Sequence, residues 1–258
     1  MSGMRLFFHK KEASYQTSVY EQNSADSITD SKGFYDFENF SDSELGTITA
    51  VLDTAKKKYP KKYQGIGLAM EAYSIVYKPR YVLNEIVIIK YGESNYLLDK
   101  LAVGLAYITK GAAFREKAFE YLEYSIPKLK KSDFDLIKSA FTKIYLYNTL
   151  TDLYEYRGDY ENALVYLEHC CRQFEKPYPY YYTKRGSIYK KIDINMCVEY
   201  YEALLIQHPE LKCYIEKELN TAKTQAEKGY VFKPKPVKQS DKNRQLEDRI
   251  HQAALQFV

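Results

Sequence analysis

From about residue 41 onward, apolar residues recur at three- and four-residue steps, the spacing of a stripe along one face of an α-helix. Ser41 opens the first stretch with Glu44 three residues later, a pairing that satisfies two orphan backbone donors reciprocally at a helix start. Leu45, Ile48, Leu52, Ala55 and Tyr59 keep the period until Pro60 ends it. A second helix carries Ile66, Ala69, Met70, Tyr73 and Tyr77 on one face, with Pro79 beyond, and the two should form an antiparallel pair. Residues 80–91 read two ways. Val82, Leu83, Ile86, Val87, Ile88 and Ile89 are dense enough for a buried strand, yet Pro79 suits a first helical turn and Gly92 a left-handed C-terminal cap. A lone strand would have no partner, so helix is favoured.

The pattern then repeats. Leu97, Leu98, Leu101, Leu105 and Ile108 mark a helix ended by Gly111; Phe114, Ala118, Tyr121, Leu122 and Ser125 mark another, ended by Pro127. Ser132 is expected to cap a helix through Phe134, Ile137, Phe141 and Ile144 that runs unbroken to Arg157, about 37 Å at 1.5 Å per residue. Its partner spans Tyr160 to Phe174. A further pair follows at 179–191 and 195–208, then a closing helix at about 210–228 with Ile215, Leu219 and Ala222. Residues 1–40 are polar and aperiodic, a flexible arm, and residues 229–258 start with a linker, Lys233-Pro234-Lys235-Pro236. From Asn243 to Val258, Leu246, Ile250, Ala253 and Phe257 make an amphipathic helix with nothing local to bury against. The expected layout is an arm (1–40), a helical domain (41–228) and a tail (229–258).

One stretch within the domain has a specific likeness. Tyr147, Leu150, Tyr154, Gly158-Asp159-Tyr160 and Ala163 stand in register with the middle of a tetratricopeptide repeat, which this segment resembles, most clearly over 145–175. Glycine permits the left-handed turn, aspartate caps the second helix, and alanine lets the two helices approach. Thr151 stands where the family has a smaller residue. Gly104, Tyr107, Gly111 and Ala118 fit an earlier copy, and Gly186, Tyr189 and Tyr200 to Leu204 a later one. The small positions Gly104, Thr151 and Gly186 are 47 and 35 residues apart, so only the second spacing is near the family's period. The resemblance covers about 95–210. It implies an all-α fold, an α-solenoid of antiparallel helix pairs with capping helices and a C-terminal tail helix. It also implies a concave groove lined by the first helix of each pair. Carried over by position, that groove has Tyr145, Asn148, Thr149, Asp152 and Tyr156 from one repeat and Tyr180, Thr183, Lys184, Ser187 and Lys190 from the next. The implied function is a non-enzymatic scaffold or adaptor that binds a protein partner or peptide there. The basic and asparagine anchors that grip a terminal carboxylate in chaperone-binding members are not reproduced in register.

Composition changes this picture little. Twenty-eight tyrosines and no tryptophan supply interhelical filler whose hydroxyls reach water or a partner. The net charge is +4, but residues 228–244 alone carry +5, leaving the body close to neutral. The alternative function is therefore a nucleic-acid-associated accessory protein using that basic tail, where Tyr230 and Phe232 interleave with lysines. Four cysteines without a C-x-x-C pair read as reduced thiols in a cytoplasmic protein. No apolar run is long enough to span a membrane, and Leu6-Phe7-Phe8 is too short for a secretory signal. His169-Cys170-Cys171 cannot converge on one metal ion from adjacent helical positions, which point about 100° apart. No nucleophile elbow, phosphate loop or dinucleotide fingerprint occurs, so neither catalysis nor a cofactor is expected. Four destinations remain open to the terminal helix. These are its own groove, a second copy of the chain, another protein, or a membrane surface, the last disfavoured by Glu247 and Asp248.

Overall fold

The structure, a computed structural model, describes residues 29–30, 33–34, 36–76, 78–175, 178–234 and 241–258. Most of the expected arm, together with His9, Tyr77, Pro177 and residues 235–240 of the basic tail, lies outside them. Among the described residues the fold is all-α, and the one strand pairing is a two-residue antiparallel bridge of Thr29–Asp30 with Gly33–Phe34. The helices are α1 (Asp42–Lys58), α2 (Gln64–Tyr73), α3 (Pro79–Tyr91), α4 (Leu97–Thr109), α5 (Arg115–Ser125), α6 (Lys131–Ile137), α7 (Lys143–Arg157), α8 (Tyr160–Cys171), α9 (Pro179–Ile192), α10 (Ile194–Gln207), α11 (Lys212–Glu227) and α12 (Asp241–Leu255). None of them is long and apolar enough to cross a membrane. The chain divides into two compact units, Met1–Thr142 with Val237–Val258, and Lys143–Pro236.

In the first unit, α1 starts as its sequence dictates. Glu44 N–H donates to Ser41 Oγ at 3.3 Å and Ser41 N–H to Glu44 Oε2 at 2.9 Å, a closed capping box. Lys78, almost fully buried, donates to the same carboxylate at 3.1 Å and to the Asn39 carbonyl, under the Phe40 ring. Residues 80–91 are helical. Their dense apolar run is explained by burial on several sides, since α3 packs against α1, α2, α4 and α12. Gly92 does not supply the expected left-handed cap. Its φ is −54°, and its N–H continues the helix to Ile88 O at 2.9 Å. At the N-terminus of α2 the buried carboxylate of Asp99 accepts from Ser94 Oγ at 2.7 Å and lies against Gly65, where an added Cβ would sit 2.3 Å from its Oδ1.

The long helix expected from Ser132 to Arg157 is two helices. Its N-cap is Lys130, whose N–H donates to Asp133 Oδ2 at 2.8 Å, and Ser132 lies inside α6. The break at 138–142 has neither Gly nor Pro. Phe141 turns into the core of the first unit there, its ring 5.1 Å from that of Tyr73, and packing overrides the local period.

Helix α12 has a burial partner distant in sequence, namely α3, with Leu246, Ile250, Ala253 and Ala254 buried. Beside this contact, Lys110 Nζ bridges Glu85 at 2.6 Å and Glu247 of α12 at 2.8 Å, and His251 Nδ1 lies 2.9 Å from the second oxygen of Glu85. Burial lowers the Lys110 pKa, but the two carboxylates outweigh it and hold the ammonium above its ordinary range.

Candidate functional site

All ten positions carried over from the repeat lie on α7 and α9 of the second unit. The turn after α7 is built by Gly158 at φ +77°, with Asp159 N–H bonded to Tyr154 O at 2.9 Å and Gly158 N–H to Glu155 O at 3.2 Å. Asp159 then caps α8 by accepting from Asn162 N–H at 3.2 Å. Thr151 and Ala163 are buried where α7 and α8 pack, so the threonine fits without opening the pair. Pro179 opens α9 at its first position, and Asp193 caps α10 through Asn195 N–H at 2.8 Å. Between these two helices Gly186 leaves room for Tyr201, whose hydroxyl donates to Thr183 O at 3.2 Å.

Each face repeats at i, i+4, i+7 and i+11. Tyr145, Thr149, Asp152 and Tyr156 run along α7; Tyr180, Lys184, Ser187 and Lys191 run along α9. The two helices are joined by a ladder of charges. Lys184 Nζ lies 2.7 Å from Asp152 and 2.5 Å from Glu155, and Lys191 reaches the other Glu155 oxygen at 2.6 Å. Burial alone would raise the Glu155 pKa, but the two ammonium groups overcome it and hold the carboxyl below its ordinary 4.5. Lys184 moves the opposite way. Burial lowers its pKa, Asp152 and Glu155 raise it, and the net shift is upward.

Three expected groove residues are engaged inside the protein rather than presented outward. Asn148 is buried, its Oδ1 accepting from the Cys170 thiol at 3.3 Å and its Nδ2 reaching Tyr181 Oη at 3.4 Å. Thr149 is buried with its hydroxyl on Tyr145 O at 2.8 Å, and Lys184 sits in the ladder. Tyr156 and Tyr180 are exposed, at 37% and 42%, as is Ser187. Tyr145, Asp152, Thr183 and Lys190 are half-buried. The sequence reading missed Glu155, Lys191 and Tyr181, and it assigned Tyr230 and Phe232 to a basic tail rather than to contacts with α9. Two acids one turn apart (152, 155) facing two lysines two turns apart (184, 191) is a signal that periodicity contains. That Tyr230 and Phe232 fold back over Lys190 and Lys191, at 5.3 Å from ammonium to ring centre, has no local signal.

Burial pushes the Cys170 thiol far up, so it stays protonated and donates to Asn148; Cys197 is pushed up to about 11. His169 packs among the rings of Tyr147 and Tyr166, at 5.4 and 5.7 Å. Among the described residues no group of three or more His, Cys, Asp or Glu side chains is placed to hold a metal ion. Comparison with family models, with curated proteins and with solved structures finds no match. Fold and site together define an all-helical protein whose helices pack on neighbours, with an ionic ladder between two of them.

Proposed function

We propose that this chain is a non-enzymatic interaction scaffold, a divergent tetratricopeptide-like α-solenoid that holds a protein or peptide partner on the face shared by α7 and α9. In this reading α7/α8 and α9/α10 are two repeats, α4/α5 a degenerate earlier one, and the setting is cytoplasmic. The observation that carries it is the ladder Asp152–Lys184–Glu155–Lys191. It ties α7 to α9, which this reading makes the first helices of two successive pairs. The exposed Tyr156 and Tyr180 each stand one turn from it, at 152+4 and 184−4. Tyrosines held on a rigid helical face supply contact area at little entropic cost, the composition of binding hot spots.

The test is affinity capture from the native host with the wild-type chain and with a Tyr156→Ala/Tyr180→Ala variant of unchanged helicity. The expected outcome is a specific partner retained by the wild type and bound at least tenfold more weakly by the variant, about 1.4 kcal/mol. Identical capture by both would overturn the reading. Deleting residues 229–258 is not a clean control, because Tyr230 packs in the second unit and α12 in the first.

A further inference from the structure

We infer that the segment Tyr230-Val231-Phe232 is the resident occupant of a peptide-binding surface on the C-terminal half of α9, and that its partner is an extended segment of another protein with two aromatic residues two positions apart. This rests on the reading of α9 as a partner-bearing helix and names the chemistry it selects. Two residues past the end of α11, Gly229 takes φ +65°, with Tyr230 N–H bonded to Gln225 O at 3.0 Å and Gly229 N–H to Ala226 O at 2.9 Å. Past this turn the chain lies against the C-terminal end of α9 in non-helical backbone. The three side chains then alternate as in a strand. Tyr230 is half-buried against the cluster around Tyr201 and Ile215, Val231 is 73% exposed, and Phe232 is half-buried. Each inward ring meets its own ammonium, Tyr230 that of Lys190 and Phe232 that of Lys191, both at 5.3 Å. Consecutive lysines at the end of α9 thus read alternate residues of an extended chain by cation–π contact. Lys191 also holds Glu155 at 2.6 Å, so the occupied surface is continuous with the ladder that joins α9 to α7.

A tethered occupant competes at an effective concentration in the millimolar range, so a free peptide of the same chemistry binds the intact chain weakly and binds more tightly once the tether's ring is gone. The probe is a fluorescein-labelled peptide, Gly-Tyr-Val-Phe-Lys-Pro, added in trans to the full chain and followed by anisotropy. Phe232→Ser should tighten its binding about tenfold, and a peptide with both aromatics replaced by alanine should bind neither form. A second readout leaves the packing untouched. A dye on Val231→Cys, in a Cys213→Ser background, should gain mobility saturably with the aromatic peptide and not with the alanine peptide. Equal affinity of wild type and Phe232→Ser, an immobile dye, or an alanine peptide as effective as the aromatic one would overturn the proposal. Peptide-independent dimers of the chain that exchange this segment would overturn it too. Partner capture that still depends on Tyr156 and Tyr180 would then leave the broader function standing.

Discussion

Replacing Lys184 with methionine tests whether the ladder, rather than apolar packing alone, holds α7 to α9. Methionine keeps much of the aliphatic stem and removes the ammonium that lies 2.5 Å from Glu155 and 2.7 Å from Asp152. Glu155, with 7% of its side chain exposed, would retain only Lys191. Removing one partner of a buried pair costs about 3–5 kcal/mol, and the surviving contact places this case near the lower figure. Asp152, 31% exposed, adds no more than about 1 kcal/mol. The expected loss is therefore about 3 kcal/mol, read by urea unfolding with circular dichroism. Amide exchange in α7 and α9 would assign the loss to the second unit. The sign of the pH dependence follows from Glu155, whose carboxyl titrates below its ordinary 4.5. Its contribution is present above that value and disappears as pH falls through the lower, folded-state value. The gap between wild type and variant should accordingly narrow below about pH 4. Adding Glu155→Gln to Lys184→Met should recover part of the loss, since the uncompensated carboxylate goes with it. A gap under about 0.5 kcal/mol, or one that persists unchanged to pH 3, would refute the ladder as the joint.

Three other substitutions probe separate links. Lys110→Met leaves the buried Glu85 and Glu247 facing each other and should cost about 3–5 kcal/mol, with exchange protection falling first in α12. Gly46→Ala, in the exposed interior of α1 with nothing within 4 Å of the new Cβ, should stabilise by about 0.5–1 kcal/mol in thermal melts. Gly186→Ala would put a methyl 2.2 Å from the Tyr201 ring and should cost about 1–3 kcal/mol. Maleimide labelling of the native chain should modify the exposed Cys213 quickly and the buried Cys170 and Cys197 only on unfolding.

Where local chemistry decides, the sequence was sufficient. The Ser41–Glu44 box, the Gly158-Asp159 turn, Pro79 at a first turn and the α9–α10 boundaries all rest on contacts within a few residues. It failed where a distant element decides. The break at 138–142 follows from a buried Phe141, and the dense apolar run of α3 from burial on several sides, one of them covered by the sequence-distant α12. The candidate face shows the same division. The sequence resemblance put the ten residues on two helices, but did not show that Asn148 turns inward to Cys170 and Tyr181. Nor did it show that Lys184 is consumed by Asp152 and Glu155. Those outcomes depend on which polar groups burial strands without water, a property of packed pairs and not of single stripes.

The pairing of α12 with α3 has a consequence for synthesis. The helices of the second unit, α7 to α11, emerge from the ribosome before α12 does. During that interval Lys110 holds Glu85 without its second carboxylate, and the side of α3 that receives Leu246 and Ile250 stands open. The first unit to emerge is thus the last to be finished, and its uncovered helix is the surface a nascent-chain chaperone would meet.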